Sequence, residues 1–538
     1  MLQPRASHWF WGLGLVSLSV VLPAQVPASP PLVGAWQAGV SQPPRRRPLP
    51  PFGRRMRPFQ MHAGRSYHVR LPSEDAGGGT LAVQVVAPRS AKEFRYRDGA
   101  PVLVFVIGGF SAEGYGAGLR GVVEQGIVQI SYNYPGGGFG RTASDGRYDY
   151  RGMNCILATR DVIRFALGEL ADADGRFLHQ IVGGPICYDN VGVLGSSSGG
   201  MMFFSTVAQF PESLKRLAWY VGWENPTTGQ TLLFDLGAKN ARTGEPLPNP
   251  AFIRYGPDSC EMELSNLKWD PDVAADFRDT KLMGRRPRAA ATNPAGKHRG
   301  ALYLDNNGND RCDVRPAHSP RQPFDLNGNG RADPDEDWAF AYVAQYENGR
   351  LKVYYSQEVI DAAFSKDVFG SAGPPSFIAT PAECAEYWRI RNSLLAFPKL
   401  KEHNPGLKVI LVAGQVDHVQ ACPVFPHIQQ AYDGLGAAGI WRRLNPDAAY
   451  VQALAGPRLK RTLRENAANV PIPVGKLREF AHPVDSGVPK QLFQLAAVLE
   501  LTDRAEFGVS EPNMDRPLGK VTPRQPPPMK RRARLKVE

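Results

Sequence analysis

The order of apolar and polar positions along the chain predicts strands that alternate with helices. Pro101–Ile107 (PVLVFVI) and Ile127–Tyr132 (IVQISY) are almost continuously apolar and rich in β-branched residues. Such runs are typical of strands that are buried on both faces of a parallel sheet. Apolar residues at positions 163, 166, 167 and 170 then have the spacing of one face of a helix.

The same alternation continues on both sides of a long interruption. Tyr67–Pro88 contains two extended stretches around a Gly-rich turn and predicts a β-hairpin. Further strands are predicted at Val191–Leu194, Leu217–Val221, Leu407–Ala413 and Ile440–Leu444. Further helices are predicted at Met201–Gln209 and Leu492–Leu499. Apolar residues at 428, 431, 432 and 435 predict one more helix. Because strand–helix–strand units are right-handed crossovers, the pattern predicts an α/β fold with a mostly parallel, doubly wound sheet.

The interruption between the two sets of elements predicts one α/β domain that carries a large irregular insertion. One helix start is clear inside it, because Thr380 can be the N-cap, Pro381 the first helical residue and Glu383 the partner in a capping box. The predicted organisation is a signal peptide at 1–28, a Pro/Arg-rich linker at 29–64, the first part of the α/β domain at 65–221, the insertion at 222–405, the second part at 406–505 and a basic tail at 506–538.

The net charge of +12 is concentrated outside the predicted domain. Residues 45–57 contain six arginines and no acid, and residues 516–538 contain eight basic residues and one glutamate. Without these two Pro-rich stretches the chain is nearly neutral, so a nucleic-acid-binding core is not expected. Basic tails of this composition are typical of solvated segments, and a polyanion contact through them stays an alternative.

The first residues have the pattern of an export signal. Arg5 precedes an apolar stretch, Trp9–Leu22, and small residues follow, with Ala24 or Ala28 as cleavage positions. The stretch is shorter than the roughly 20 residues of a membrane span, so we expect a secreted or periplasmic protein with no stable span after signal removal. An uncleaved signal anchor is the alternative. Six cysteines permit disulfides in an exported chain, but sequence does not choose the pairing.

Gly195, Ser197 and Gly199 form the motif G-x-S-x-G directly after an apolar strand and before a helix. This strand–turn–helix setting is that of a nucleophile elbow, so Ser197 is predicted to be a nucleophile. The backbone N–H of Ser198 would face the oxyanion that forms during acyl transfer. A second donor is expected from Gly109 or Phe110, because the strand PVLVFVI ends in Gly-Gly-Phe and the loop after the third strand supplies this donor in such folds.

A nucleophilic serine needs a base and an orienting acid. Asp417 follows the strand LKVILVA and is the expected acid, with Glu224 as its rival. His482 precedes the last helix and is the expected base, with His418 and His427 as rivals because a long stretch separates Leu444 from His482. The order Ser197, Asp417, His482 is the order of the hydrolase triad.

On these motifs the chain resembles the α/β hydrolases of the esterase and prolyl-oligopeptidase-like group. The similarity covers about 67–221 and 407–501 and rests on GGF at 108, GSSSG at 195, GQVDHV at 414 and His482. The resemblance implies a serine–histidine–acid mechanism with an acyl-enzyme intermediate. An Ala-His-Pro context for the histidine and the large insertion after the sixth strand depart from the family pattern.

The insertion contains a calcium-like loop. The stretch 325–336 fits D-x-N-x-N-G-x5-E, and its expected ligands are Asp325, Asn327, Asn329, Arg331 through its carbonyl, Asp333 and Glu336. It resembles an EF-hand or dockerin loop, with a partial copy at Asp305–Asp313. Prolines forbid an entering helix, and only an exiting helix at Glu336–Tyr346 is expected. We expect a structural Ca²⁺, with a plain Asn/Gly turn as the alternative.

The predicted function is therefore that of a secreted serine hydrolase which cleaves carboxylic esters, in a small molecule or on a polymer. A serine peptidase of the prolyl-oligopeptidase-like group is the first alternative, and a non-catalytic calcium-binding surface protein on a hydrolase scaffold is the second. The chain contains no G-x-G-x-x-G after a strand, no P-loop and no HExxH, so no organic cofactor is expected.

Overall fold

A computed structural model of the chain describes residues 64–239, 246–256, 259–277, 296–313, 333, 335–347, 350–413, 426–454 and 488–508. Six strands come first, namely β1 (Arg65–Pro72), β2 (Thr80–Ala87), β3 (Ala100–Val106), β4 (Val128–Tyr132), β5 (Ile186–Ser196) and β6 (Trp219–Trp223). The helices among them are α1 (Met153–Ala166), α2 (Leu178–Val182) and α3 (Ser198–Gln209). Short 3-10 helices cover Glu74–Ala76, Ala91–Glu93, Val123–Gln125, Gly140–Thr142 and Pro211–Leu214.

After β6 the chain leaves this sheet and forms smaller elements. The strands are β7 (Gly237–Lys239), β8 (Pro246–Pro248), β9 (Phe252–Tyr255), β10 (Cys260–Met262), β11 (Leu267–Phe277), β12 (Gly296–Leu304), β13 (Trp338–Ala339), β14 (Val343–Glu347) and β15 (Arg350–Tyr354). The helices are α4 (Gly229–Leu233), α5 (Gln357–Ser365), α6 (Pro381–Arg389) and α7 (Ala396–His403), with 3-10 turns at Gly370–Ala372 and Ser393–Leu395. Antiparallel pairs connect these strands as β7–β8, β9–β10, β11–β12–β13 and β14–β15.

The chain returns with β16 (Lys408–Val412), α8 (Pro426–Ala437), β17 (Trp441–Leu444), α9 (Ala448–Leu454) and α10 (Val488–Phe507). Among the described residues the large sheet has eight strands in the order β1-β2-β4-β3-β5-β6-β16-β17. The β1–β2 and β2–β4 pairs are antiparallel, and each pair from β4 to β17 is parallel. The predicted α/β class with a mostly parallel sheet is confirmed.

Both faces of this sheet are covered by helices, as the continuous apolar strands require. Alternate residues of β3 face opposite sides, so that Val102 and Val104 join one buried cluster and Leu103 joins another. The first cluster contains α1 and α3 side chains. The second contains the side chains of α10, such as Leu495 and Leu499. Each helix therefore packs with one apolar face on the sheet.

Local sequence signals account for several element boundaries. The Thr380 hydroxyl accepts the Glu383 N–H at 3.3 Å, and the Glu383 carboxylate accepts the Thr380 N–H at 2.8 Å, so α6 begins with the predicted capping box. The predicted hairpin at Tyr67–Pro88 is formed by β1 and β2, whose register pairs Arg65 with Ala87 and Pro72 with Thr80.

The prediction of a helix at Glu336–Tyr346 is wrong. The chain forms β13 and β14 there, and Trp338, Phe340 and Tyr342 are all at most 2% exposed. These aromatic side chains recur at every second position, which is the period of a strand, and strands favour aromatic residues. The aromatic content of this stretch therefore favours extended structure over the exiting helix of an EF-hand-like loop.

The segment between β6 and β16 shares the main core of the sheet. Leu302, Trp338 and Val359 belong to the same buried cluster as Val104 of β3. The sequence did not predict these buried apolar residues, because they come from short strands and from the short helix α5, in which the helical period is hard to recognise. Within the described ranges, no helix is both long enough and apolar enough to cross a membrane.

The described cysteines include Cys155, Cys187, Cys260 and Cys384, and these four carry free thiols. Burial raises the pKa of Cys187, Cys260 and Cys384 to about 12, so these thiols are not nucleophiles near neutral pH. Cys422 lies outside the described residues.

Candidate active site

The turn between β5 and α3 holds Ser197 in a strained conformation. Strand β5 ends at Ser196 and helix α3 begins at Ser198, so Ser197 is the only residue between them. Its backbone has φ 52° and ψ −127°, a region that residues with a side chain rarely adopt. Backbone strain of this kind costs about 1–3 kcal/mol and is concentrated at functional sites.

Glycines make this sharp turn sterically possible. A Cβ on Gly195 would lie 2.6 Å from the Tyr220 hydroxyl and 2.5 Å from the Cα of Gly200. A Cβ on Gly199 would lie 2.9 Å from the carbonyl oxygen of Ile107. Since real Cβ atoms do not approach other atoms this closely, the two flanking positions of G-x-S-x-G have to be glycine for the helix to start directly against the sheet.

The three consecutive serines have different environments. Ser196 belongs to β5 and is 9% exposed, whereas Ser198 is 2% exposed and its hydroxyl donates to the Gly109 carbonyl at 2.7 Å. Ser197 alone of the three is partly exposed. Only the Ser197 side chain is therefore placed to meet a substrate from solvent.

The loop after β3 lies against this elbow. A Cβ on Gly108 would come within 2.8 Å of the Cβ of Ser197, so the backbone passes directly beside it. Gly109 has φ +70°, which glycine adopts without cost. In the described part of the chain, the N–H groups of Gly109 and Ser198 donate to no other residue. Phe110 comes directly after Gly109 in this loop, and its carbonyl accepts a hydrogen bond from the Tyr148 hydroxyl at 2.8 Å.

Asn225 holds the backbone of the turn that contains Ser197, and no motif in the sequence predicts this role. Its amide nitrogen donates to the carbonyls of Gly195 at 2.9 Å and Ser197 at 2.8 Å, and its oxygen accepts the Tyr220 hydroxyl at 2.7 Å. Burial raises the pKa of Tyr220 well above its usual range, which keeps the phenol a donor. In the sequence, the only indication of this role is that Asn225 is a polar residue two positions after β6, the strand next to β5.

The predicted base and acid lie outside the described residues. Asp417, His418 and His482 all fall in undescribed ranges, so the structure neither joins them to Ser197 nor separates them from it. The rival base His427 is fully buried near the start of α8.

The rival acid Glu224 is at the carboxyl edge of the sheet, directly after β6. It is 1% exposed, has φ 47°, and its N–H donates to the Val412 carbonyl at 3.1 Å. The preceding residue, Trp223, accepts the N–H of Ser197 at 2.9 Å. Glu224 is therefore a second strained residue beside the turn that contains Ser197, and its side chain is acidic.

The calcium-like loop is described only at its end. Asp325, Asn327, Asn329 and Arg331 lie outside the described residues. Asp333 and Glu336 are described. The Asp333 N–H donates to the Glu336 carboxylate at 3.0 Å, and Glu336 is 6% exposed.

The partial copy at Asp305–Asp313 is fully described. The Asp305 carboxylate accepts the Asn309 N–H at 3.1 Å and the Lys268 ammonium at 2.6 Å. The Asp313 N–H donates to Asp337, and the Asn306 side chain donates to the Glu336 carbonyl at 2.7 Å, so the two Asp/Asn loops contact each other. Over the described ranges, no group of three or more His, Cys, Asp and Glu side chains is arranged to hold a metal ion. In the partial copy, the Lys268 ammonium supplies the positive charge beside the Asp305 carboxylate.

These elements define the class of the fold. A partly exposed serine lies on a strained strand–turn–helix junction after β5, with the loop after β3 packed beside it, and this geometry resembles the nucleophile elbow expected from the sequence. The sheet that presents it is mostly parallel, with helices on both faces.

No protein-family model matches the chain, and no curated protein sequence matches it. Solved structures that are similar to parts of it include peptidases and esterases. An acylaminoacyl peptidase from Pyrococcus horikoshii has 12% identity and a TM-score of 0.33, with 72% of this chain and 37% of that chain covered. A putative dipeptidyl aminopeptidase IV from Bacteroides ovatus has 11% identity and a TM-score of 0.32, with 71% and 32% covered.

An esterase from Pyrobaculum calidifontis has 14% identity and a TM-score of 0.20, with 31% of this chain and 48% of that chain covered. The present chain thus spans less than half the length of each of these three proteins. The strand order of the chain itself defines its α/β fold.

Proposed function

We propose that this protein is a serine hydrolase that cleaves carboxylic esters through an acyl-enzyme intermediate, with Ser197 as the nucleophile. The observation that carries the proposal is the backbone of Ser197, with φ 52° and ψ −127° between β5 and α3. A fold retains such strain where it serves a function. Here the strain points a partly exposed hydroxyl out of the carboxyl edge of the sheet.

The reaction uses the elbow and the loop after β3 together. The Ser197 hydroxyl oxygen attacks the ester carbonyl while a histidine takes its proton, and the carbonyl oxygen becomes an oxyanion. The backbone N–H groups of Gly109, Phe110 and Ser198 are the proposed donors to that oxyanion. The histidine then gives its proton to the leaving alcohol, and a water molecule hydrolyses the acyl-enzyme by the same steps.

Covalent labelling tests this function directly. A fluorophosphonate probe should modify Ser197, and mass spectrometry of the labelled peptide should locate the probe there. Ser197→Ala should lose labelling and reduce kcat for p-nitrophenyl esters by about 10⁴-fold or more. Ser196→Ala, at the last residue of β5 directly before the turn, is the matched control. Labelling that survives in Ser197→Ala would refute the assignment.

The proposed base and acid are His482 and Asp417. His482→Ala should cost nearly as much kcat as the loss of the serine, because the two groups act as one unit. Asp417→Asn and Glu224→Gln distinguish the two candidate acids, since only the triad acid should lower kcat by several orders of magnitude. If His482→Ala keeps the wild-type kcat, the same assay on His418→Ala and His427→Ala identifies the base.

The proposed substrate is a small-molecule or polymer-borne ester. An amide bond is the alternative that the same nucleophile could cleave. Matched acyl p-nitrophenyl esters and p-nitroanilides with the same acyl group compare the two leaving groups. A kcat/KM that is higher for the anilide than for the ester would replace the esterase by a peptidase.

We further propose a structural Ca²⁺ at Asp325–Glu336. The spacing D-x-N-x-N-G-x5-E supports this proposal, and two of its expected ligands, Asp333 and Glu336, lie next to each other, with the Asp333 N–H donating to the Glu336 carboxylate at 3.0 Å. Ca²⁺ at a hundredfold excess over its Kd would add about 2.7 kcal/mol of stability. A chelator should therefore lower the Tm and added Ca²⁺ should restore it, while Asp325→Ala with Glu336→Ala should abolish this response. A Tm that is indifferent to chelator would refute the site.

Export by residues 1–28 completes the proposal. N-terminal sequencing of the protein from the medium or periplasm of an expressing cell should begin after Ala24 or Ala28. Recovery of the full-length chain in the membrane fraction would instead indicate an uncleaved anchor. The near-neutral domain gives no reason to expect nucleic acid as a partner.

A further inference from the structure

The turn before α1 contains two successive strained residues. Tyr150 has φ 52° and Arg151 has φ 65°, and neither is a glycine. Each left-handed residue of this kind has to be held by its surroundings. Both side chains are buried, with Arg151 only 1% exposed, so the turn lies inside the protein next to the site and not on its surface.

The Arg151 guanidinium binds the carbonyls of the loop after β3. It donates to Ile107 at 3.0 Å, to Gly108 at 3.3 Å and to Gly109 at 2.8 Å. Its plane lies over the ring of Tyr134, with 4.1 Å from the guanidinium carbon to the ring centre. Within the described residues, Arg151 forms no ion pair with a carboxylate. The positive charge of this buried arginine is therefore stabilised by backbone carbonyls and by the face of an aromatic ring.

These contacts determine which way the loop presents its donors. In a trans peptide the carbonyl and the N–H point in opposite directions. Since the carbonyls of Gly108 and Gly109 are turned toward Arg151, the N–H groups of Gly109 and Phe110 are turned away from it. The Ser198 hydroxyl holds the Gly109 carbonyl as well, at 2.7 Å. The orientation of the two proposed oxyanion donors thus depends on a side chain that the substrate does not touch.

A second buried arginine holds the strained turn. Arg391, just after α6, is 3% exposed and donates to the carbonyls of Tyr150 at 3.0 Å and Asp149 at 3.0 Å. Its guanidinium carbon lies 3.6 Å from the ring centre of Tyr387, and it also donates to the Tyr387 carbonyl at 2.8 Å. Arg391 comes from the segment between β6 and β16, so that segment reaches the turn that carries Arg151.

We propose that Arg151 is a positioning residue of the oxyanion hole and that Arg391 keeps it in place, so that the segment between β6 and β16 controls the rate of acyl transfer. The inference rests on the proposed function, because an oxyanion hole has a role only in that reaction. Neither arginine contacts the substrate in this proposal. Arg151 acts through the backbone of the loop at Ile107–Phe110, and Arg391 acts through the turn that carries Arg151.

The test is the variant Arg151→Lys in the full-length protein. Lysine keeps the charge but loses the planar fork that reaches several carbonyls at once. We expect kcat for a p-nitrophenyl ester to fall about 100-fold, the scale of a lost oxyanion donor, while KM changes less than about threefold. The Ki of an alkyl trifluoromethyl ketone, which forms an oxyanion on the serine, should rise by a similar factor. Arg391→Lys should shift both constants in the same direction by about 10-fold.

Arg95→Lys is the matched control. Arg95 is also a largely buried arginine, 10% exposed in its side chain, but it pairs with Asp503 at 2.7 Å and precedes β3 at the opposite, amino end of the strand. It should keep kcat and the ketone Ki within about threefold. Circular dichroism and size-exclusion chromatography establish that each variant is folded. If Arg151→Lys does not fold, Arg391→Lys decides by the same two constants.

The outcomes separate this inference from the proposed function. If the unmodified protein is not labelled by fluorophosphonate at Ser197, the proposed function fails. If it is labelled, but the folded arginine variants keep kcat and the ketone Ki or change KM alone, only the positioning role is overturned. A fall in kcat without a parallel rise in the ketone Ki would also overturn it, because general loosening of the fold does not select for the oxyanion.

Discussion

The strain at Ser197 can be measured by comparing two substitutions that both remove the hydroxyl. Ser197→Ala keeps a Cβ at φ 52°, whereas Ser197→Gly removes the Cβ that makes this conformation unfavourable. The Ser197 side chain makes no capping hydrogen bond to α3, so neither variant loses such a bond. The difference between the two variants therefore reports on the backbone. We expect Ser197→Gly to be the more stable variant.

Two opposing contributions give the magnitude. Relief of a sparsely populated backbone conformation is worth about 1–3 kcal/mol. Glycine also gives the unfolded chain more freedom, which opposes this by about 0.5–1 kcal/mol. The net advantage of Ser197→Gly over Ser197→Ala is thus about 1 kcal/mol in the free energy of unfolding. At Ser196, which lies in β5 with ordinary strand geometry, only the second contribution is present, and Ser196→Gly should be less stable than Ser196→Ala by about 0.5–1 kcal/mol.

Urea unfolding followed by tryptophan fluorescence measures all four variants, and the signs at the two positions should be opposite. Equal slopes of the unfolding transition are needed for the comparison, because a change of slope would indicate a different denatured or intermediate state. If Ser197→Gly is no more stable than Ser197→Ala while the Ser196 pair behaves as expected, Ser197 is not strained. The turn between β5 and α3 would then not be a nucleophile elbow.

Three further predictions concern other parts of the chain. Gly199→Ala should lower stability by about 1–3 kcal/mol and slow fluorophosphonate labelling, because its Cβ would lie 2.9 Å from the Ile107 carbonyl oxygen; urea unfolding and labelling rates check this. Thr380→Ala removes the N-cap of α6 and should cost about 1 kcal/mol by the same unfolding assay. Burial raises the pKa of Glu358 to about 7, so the folded state favours the neutral acid and stability should fall as the pH rises from about 4.5 to about 7. Glu358→Gln should remove this slope and be more stable than the wild type at pH 8 by up to about 3 kcal/mol, and a slope that is unchanged in the variant would assign the effect to another group.

The sequence predicts the strands of the large sheet well because their signal is local. Runs such as PVLVFVI are short, rich in β-branched residues and apolar without interruption, which is typical of a strand covered on both faces. The order of the strands has no such local signal. That β3 lies between β4 and β5, and that β6 pairs with β16, depends on contacts between residues far apart in the chain.

The site was predicted to the extent that it follows a motif. Ser197 and Gly109 stand in recognisable patterns of spacing, and the structure brings their two turns together. Asn225 and Arg151 have no pattern of this kind, since a single polar residue after a strand or before a helix is common on surfaces. What distinguishes them is burial beside backbone carbonyls, and burial of a lone charged residue cannot be read from its neighbours in sequence.

The pairing of β6 with β16 has a consequence for synthesis of the chain. Strand β6, with the sequence WYVGW, is complete at Trp223, but its parallel neighbour β16 begins only at Lys408. At 5–20 residues per second a ribosome needs about 10–40 s to produce the residues between them. During that time one edge of an aromatic strand has no partner from β16, and unpaired strand edges promote association between chains. The nascent chain should therefore depend on chaperones in this interval more than after the seventh strand of the sheet has joined.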